Sequence, residues 1–120
     1  MLMRNLISIF AISALLHLTI ATVFAEDAAE PSAKDLWSKN CASCHGAYGK
    51  GTTKMGRRLH IKDLTSEEVK AGFDRDRMIA AVRDGVNNEE GKQVMKPLAD
   101  KLTEEEMGKV TDYVIGGFSG

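Results

Sequence analysis

Cys41-Ala42-Ser43-Cys44-His45 is the stretch on which the reading of this chain turns. Residues three apart are neighbours on the surface of a helical turn. The two thiols can therefore reach two substituents along one edge of a flat macrocycle. The next residue, His45, then falls beneath the ring with an imidazole nitrogen available to a metal. C-x-x-C-H is the pattern of covalent c-type haem attachment. Three other uses of these residues stand beside it. A Cys41–Cys44 disulfide would suit an oxidising compartment. A thioredoxin-like dithiol wants a βαβ context, and no strand pattern is visible. A zinc site would need Cys41, Cys44 and two more ligands; only His45 and His60 are left, and the spacing matches no familiar zinc pattern.

The segments outside this stretch support the same compartment. The chain has 120 residues, 43% apolar, with a formal charge of −1 and two cysteines. Residues 1–25 hold 18 of the apolar side chains. Arg4 precedes an uncharged run from Leu6 to Ala25, and Val23-Phe24-Ala25 is followed by Glu26-Asp27. That order is the pattern of a secretory signal peptide, with cleavage expected after Ala25. It predicts a periplasmic protein with a short linker over residues 26–32 and a domain over residues 33–120. A retained membrane anchor is the competing reading, because twenty uncharged residues can just span a bilayer. Ser8, Ser13, His17, Thr19 and Thr22 dilute it.

After residue 25 the chain is lean, with Trp37, Tyr48, Phe73, Tyr113 and Phe118 as its aromatics. A domain of that size is marginal without a disulfide, metal, cofactor or partner. The near-neutral charge gives no reason to expect nucleic acid. The recurring apolar residues argue against disorder.

Four helices are expected, which makes the chain all-α. The first covers Ser32 to Cys44, with Ser32 and Asp35 in a capping-box relation and Ala33, Leu36, Trp37 and Cys41 on one face. The second begins at Thr65, capped with Glu68, and ends near Gly72. The third runs from Asp74 to Asp84 with Met78, Ile79 and Val82 inward and Gly85 as its stop. The last opens at Thr103, capped with Glu106, and buries Met107, Val110, Val114 and Phe118. Gly108 inside it costs about 1 kcal/mol relative to alanine, which a close crossing by another helix would explain. An iron held by His45 leaves a sixth position, for which Met55, His60, Met78, Met95 and Met107 are candidates. Met78 and Met107 lie on apolar helical faces, where methionine is usually core filler. Met95 sits in a loop with enough chain to reach the far face.

The chain resembles the small, monohaem class I cytochromes c of bacteria, from about Ala33 to Val114. The carrying features are Cys41-Ala42-Ser43-Cys44-His45, the glycine-rich Gly46-Ala47-Tyr48-Gly49-Lys50-Gly51, and the order Met95, Pro97, Leu102, Thr103. Tyr113-Val114 resembles the family's C-terminal pair, and Trp37 its first-helix aromatic. The resemblance implies a cytochrome c fold of about four short helices packed around one haem c. The haem would be bound through Cys41 and Cys44, with His45 and Met95 as iron ligands. Lys96 interrupts the usual Met-Pro order. Gly56-Arg57-Arg58-Leu59 replaces a Gly-Pro-x-Leu whose proline carbonyl accepts from the ligating histidine, so the Arg57 carbonyl inherits that expectation.

The function implied is one-electron transfer between transient redox protein partners by a soluble, monomeric carrier, with no catalysis. Two alternatives remain: a haem-based ligand binder or sensor, and a membrane-anchored subunit of a larger oxidoreductase. Lys50, Lys54, Arg57, Arg58 and Lys62 form a run without an acid. It either steers an acidic partner or is solvated surface with one arginine on a haem propionate.

Overall fold

The computed structural model describes residues 28–120. The expected signal peptide over 1–25 and the first residues of the linker lie outside the described residues. Six helices and one two-stranded hairpin are present among them: α1 (Ala33–Asn40), α2 (Ala42–His45), α3 (Lys54–Arg58), α4 (Glu67–Lys70), α5 (Arg75–Asp84), β1 (Val86–Asn87), β2 (Gln93–Met95) and α6 (Glu104–Ile115). None of these helices is long and apolar enough to cross a membrane.

The helix α6 is the organiser. It begins where Thr103 accepts from the Glu106 N–H and Glu106 accepts from the Thr103 N–H, a complete capping box. Its inward stripe is Met107, Val110, Tyr113 and Val114, each 6% exposed or less. Both α1 and α5 pack against it, bringing Leu36, Trp37 and Val82 into one core with Leu98 and Leu102. Each aliphatic side chain fully buried in this way contributes about 1.5–3 kcal/mol. Gly108 meets a side chain rather than a helix backbone: a Cβ there would lie 3.1 Å from the Arg75 guanidinium. That guanidinium reaches across α6 to clasp Asp112 with two hydrogen bonds, of 2.7 and 2.9 Å.

Several expectations need correction. The first helix is interrupted at Cys41, whose backbone leaves helical geometry at φ −122°. Just before it, the Asn40 amide turns back onto the Leu36 carbonyl at 2.9 Å, the local competition that makes asparagine a poor helix continuer. The cap of α4 is Ser66 and not Thr65. The Thr65 hydroxyl and N–H are both taken by the Asp63 carboxylate. The short α3 and the hairpin were not expected, because neither has room for an apolar repeat. Phe118 is buried as expected but lies beyond α6, on a tail that turns at Gly116-Gly117 and places Phe118 at φ +63°.

Candidate functional site: the Cys41–His45 turn

Cys41 occupies the break after α1, and Cys44 and His45 form the end of α2. The structure brings these three residues onto one turn. Backbone carbonyls of that turn are held from three directions. Trp37 Nε1 donates to the Gly46 carbonyl at 3.0 Å. The Thr53 hydroxyl donates to the Cys44 carbonyl at 2.6 Å and also caps α3 by accepting from the Gly56 N–H. The Gly51 N–H donates to the His45 carbonyl at 2.8 Å. Gly56 permits this closeness, since a Cβ there would lie 2.7 Å from the Cys44 carbonyl oxygen and 2.3 Å from that of Gly51.

An aromatic wall stands behind the turn. The Trp37 ring lies 5.6 Å from His45 and 4.9 Å from Phe118, and Phe118 in turn lies 5.4 Å from Tyr113. Phe118 sits directly over Gly49, where a Cβ would be 2.2 Å from the ring. Gly49 also has φ +71°, so both space and backbone require glycine there.

The chemistry of the donor set is well defined. Burial pushes the His45 imidazole below its ordinary pKa, so it is neutral at pH 7 and suited to a metal. Its Nδ1 is buried and has no hydrogen-bond partner. The carbonyl contact expected from Arg57 is not made; that carbonyl accepts from the His60 N–H instead. Burial, and then the neighbouring Cys44, push the Cys41 thiol up to about 11. A reactive dithiol would need a lowered thiol pKa and a βαβ unit; the described residues hold only a two-stranded antiparallel hairpin, so the thioredoxin-like reading fails here. Both cysteines are unbridged. Among the described residues no cluster of three His, Cys, Asp or Glu could hold a metal ion, so the zinc reading lacks a ligand set. Two unbridged thiols and one neutral imidazole with an unpartnered Nδ1 on a single turn fit a covalently attached haem.

Met95 is not on that turn. It ends β2, half-buried and packed against the core. Met107 is wholly inside α6 packing at 2% exposure, Met55 is 40% exposed, and His60 is exposed. Met78 shares the half-buried setting of Met95 but on α5. Thr53 and Gly56 support the site, and periodicity and motif spacing point to neither. A threonine opening a charged, capped turn is the available signal for the first; the second is marked only by its place in the stretch that resembles Gly-Pro-x-Leu.

The fold and the turn together define a small all-α protein built around covalent haem, a c-type cytochrome. The family model described as cytochrome c oxidase, cbb3-type, subunit III matches residues 28–114, and the chain belongs to that family. Among solved structures it is similar to the c-type cytochrome KustC0563. Identity is 28%, over 72% of this chain and 96% of that one, with a TM-score of 0.61. It is also similar to the c-type cytochrome NirC, at 27% identity over 71% of this chain and 86% of that one, with a TM-score of 0.53. No curated protein matches the chain. As a c-type cytochrome it binds haem c covalently and carries electrons to and from redox partners.

Proposed function

We propose that this chain is a soluble, monomeric, periplasmic one-electron carrier. Cys41 and Cys44 hold its haem c, and His45 and Met95 ligate the iron. The observation that carries the reading is the half-buried, neutral His45, its Nδ1 enclosed and unpartnered, beside two thiols on one turn. When bound, the haem supplies a ferric/ferrous couple whose potential thioether ligation raises. His45 and Met95 would together fill the positions open on the iron and leave none for a substrate, so the chain would transfer electrons without catalysing a reaction. Trp37, Phe118 and Tyr113 exclude water on one side of the turn.

Partner recognition rests on charge. Lys50, Lys54, Arg57, Arg58 and Lys62 are exposed, and none makes an ion pair among the described residues. Tyr48 and Met55, 62% and 40% exposed, lie in the same stretch of chain. A basic rim of this kind speeds encounter with an acidic redox protein and leaves a short-lived complex.

The test is the visible spectrum of the haem-loaded protein, oxidised and reduced, with and without carbon monoxide. A weak far-red band in the ferric protein, lost in Met95→Ala, is the expected result, together with no prompt carbon monoxide binding. Prompt binding at neutral pH would transfer the chain to the ligand-binding class. The mass of the purified N-terminus decides between a cleaved leader and a retained anchor.

A further inference from the structure

The segment between α5 and Leu98 has little core to lean on. From Val86 to Gln93 every residue is exposed, and Gly85, Val94 and Met95 are half-buried. Its shape therefore rests on where its backbone hydrogen bonds go, and Asn88 gathers four of them. The Asn88 N–H donates to the Lys92 carbonyl at 2.8 Å, and its carbonyl accepts from the Gly91 N–H at 2.9 Å. Its side-chain Oδ1 accepts from the Glu90 N–H at 3.1 Å and the Lys92 N–H at 2.9 Å. The result is a three-residue hairpin loop, Glu89-Glu90-Gly91, with Gly91 at φ +76°, a loop length common in hairpins.

This turn sets the register of β2. Val86 pairs with Met95 and Asn87 with Gln93, so Val94 is an extra residue on β2, a bulge. A slip of one residue in a strand sends each side chain to the opposite face. The turn therefore decides whether Met95 or Val94 points inward. The other end of the segment is fixed independently. The Leu98 N–H donates to the Val82 carbonyl at 2.9 Å. At Gly85 a Cβ would lie 2.6 Å from the Met95 carbonyl oxygen and 2.9 Å from the Pro97 nitrogen.

We propose that Asn88 is a positioning residue for Met95: its side-chain oxygen closes the 88–92 turn in the register that presents the thioether. It thereby sets the fraction of molecules in which Met95 is off the iron. The inference rests on Met95 being the sixth ligand, and the test separates the two.

The test uses haem-loaded ferric protein titrated with imidazole as a competing ligand. Apparent affinity for an added ligand rises in proportion to the open fraction. Asn88→Ala removes two neutral hydrogen bonds and binds imidazole about tenfold more tightly than the wild type. Asn88→Asp keeps the acceptor oxygen and stays within about threefold of the wild type. A merely structural turn would move the thermal midpoint and leave imidazole affinity unchanged. If Met95→Ala loses the far-red band and Asn88→Ala binds imidazole like the wild type, the positioning role is overturned and the ligand stands. If Met95→Ala keeps the band, the ligand assignment falls, and this proposal with it.

Discussion

The Cys41–His45 turn is backed by α1, α3 and the aromatic trio of Trp37, Tyr113 and Phe118, while Met95 hangs from a hairpin whose tip is wholly exposed. The first region has side-chain packing, three hydrogen bonds onto its carbonyls and the means for covalent attachment. The second has backbone hydrogen bonds, a glycine that lets two carbonyl-bearing segments meet, and one asparagine. Packing resists displacement over its whole area, whereas a hydrogen-bonded loop yields when one partner is lost. On the proposed ligation, the durable hold on haem would be at the motif and the adjustable one at Met95.

The largest expected effect breaks the durable side. Cys41→Ala/Cys44→Ala chain, which cannot fix haem, is expected to lose its cooperative thermal transition and stable helicity by far-ultraviolet circular dichroism. The core left to it is too small to close alone. A sharp, well-packed melt of that haem-free chain would show that the motif side does not depend on its cofactor.

Phe118→Ala tests the aromatic backing without touching the attachment chemistry. Removing a buried phenyl ring typically costs 3–5 kcal/mol, and about 3 kcal/mol is expected in denaturant melts of the haem-loaded protein. The far-red band should persist, since Phe118 belongs to the motif side. Loss of the band with stability intact would erase the distinction between the two regions.

The smallest effect comes from the clasp between α5 and α6, which neither region depends on strongly. Arg75 holds the Asp112 carboxyl below its usual value of 3.8. A depressed carboxylate stabilises the fold above its unfolded pKa and loses that contribution as pH falls through the folded one. Stability should thus be flat with respect to this pair from pH 5 to 8 and decline below about pH 4. Asp112→Asn should flatten part of the acid limb, and high salt should shrink the difference, because both side chains are at least half exposed. A marked change at pH 7 would mean that the clasp governs the seat of α5 and the hairpin it carries.

How much of the molecule is legible in its sequence depends on the range of the forces involved. Ser32 and Thr103 cap their helices as expected, because a cap is a contact three residues long. The Cys41–His45 motif is legible because the attachment chemistry dictates both residue types and spacing. The small all-α architecture can be read from the inward stripes of three helices. The break at Cys41, the shift of a cap to Ser66 and the short α3 depend on side chains competing for backbone groups, which periodicity does not register. Gly56 and Gly49 stand in stretches that the family resemblance marks, but periodicity does not explain them, since their reason is a distant backbone or ring that arrives only on folding. Phe118 falls on the right helical phase by arithmetic, yet it is buried by a turn after α6 has ended.

That turn also bears on the order of events. Phe118 seals against Trp37 and Gly49, so the wall of the site is finished by nearly the last residues of the chain. Contacts between distant parts of a chain form late, after the intervening loop has been closed, and synthesis delivers the N-terminal portion first. During that interval the turn lacks the Phe118 part of its wall. In the closed fold Cys41 is buried, which pushes its thiol up to about 11 and makes it a poorer nucleophile. The chain thus has a window for covalent chemistry that opens with its beginning and shuts with its end: attachment first, closure second.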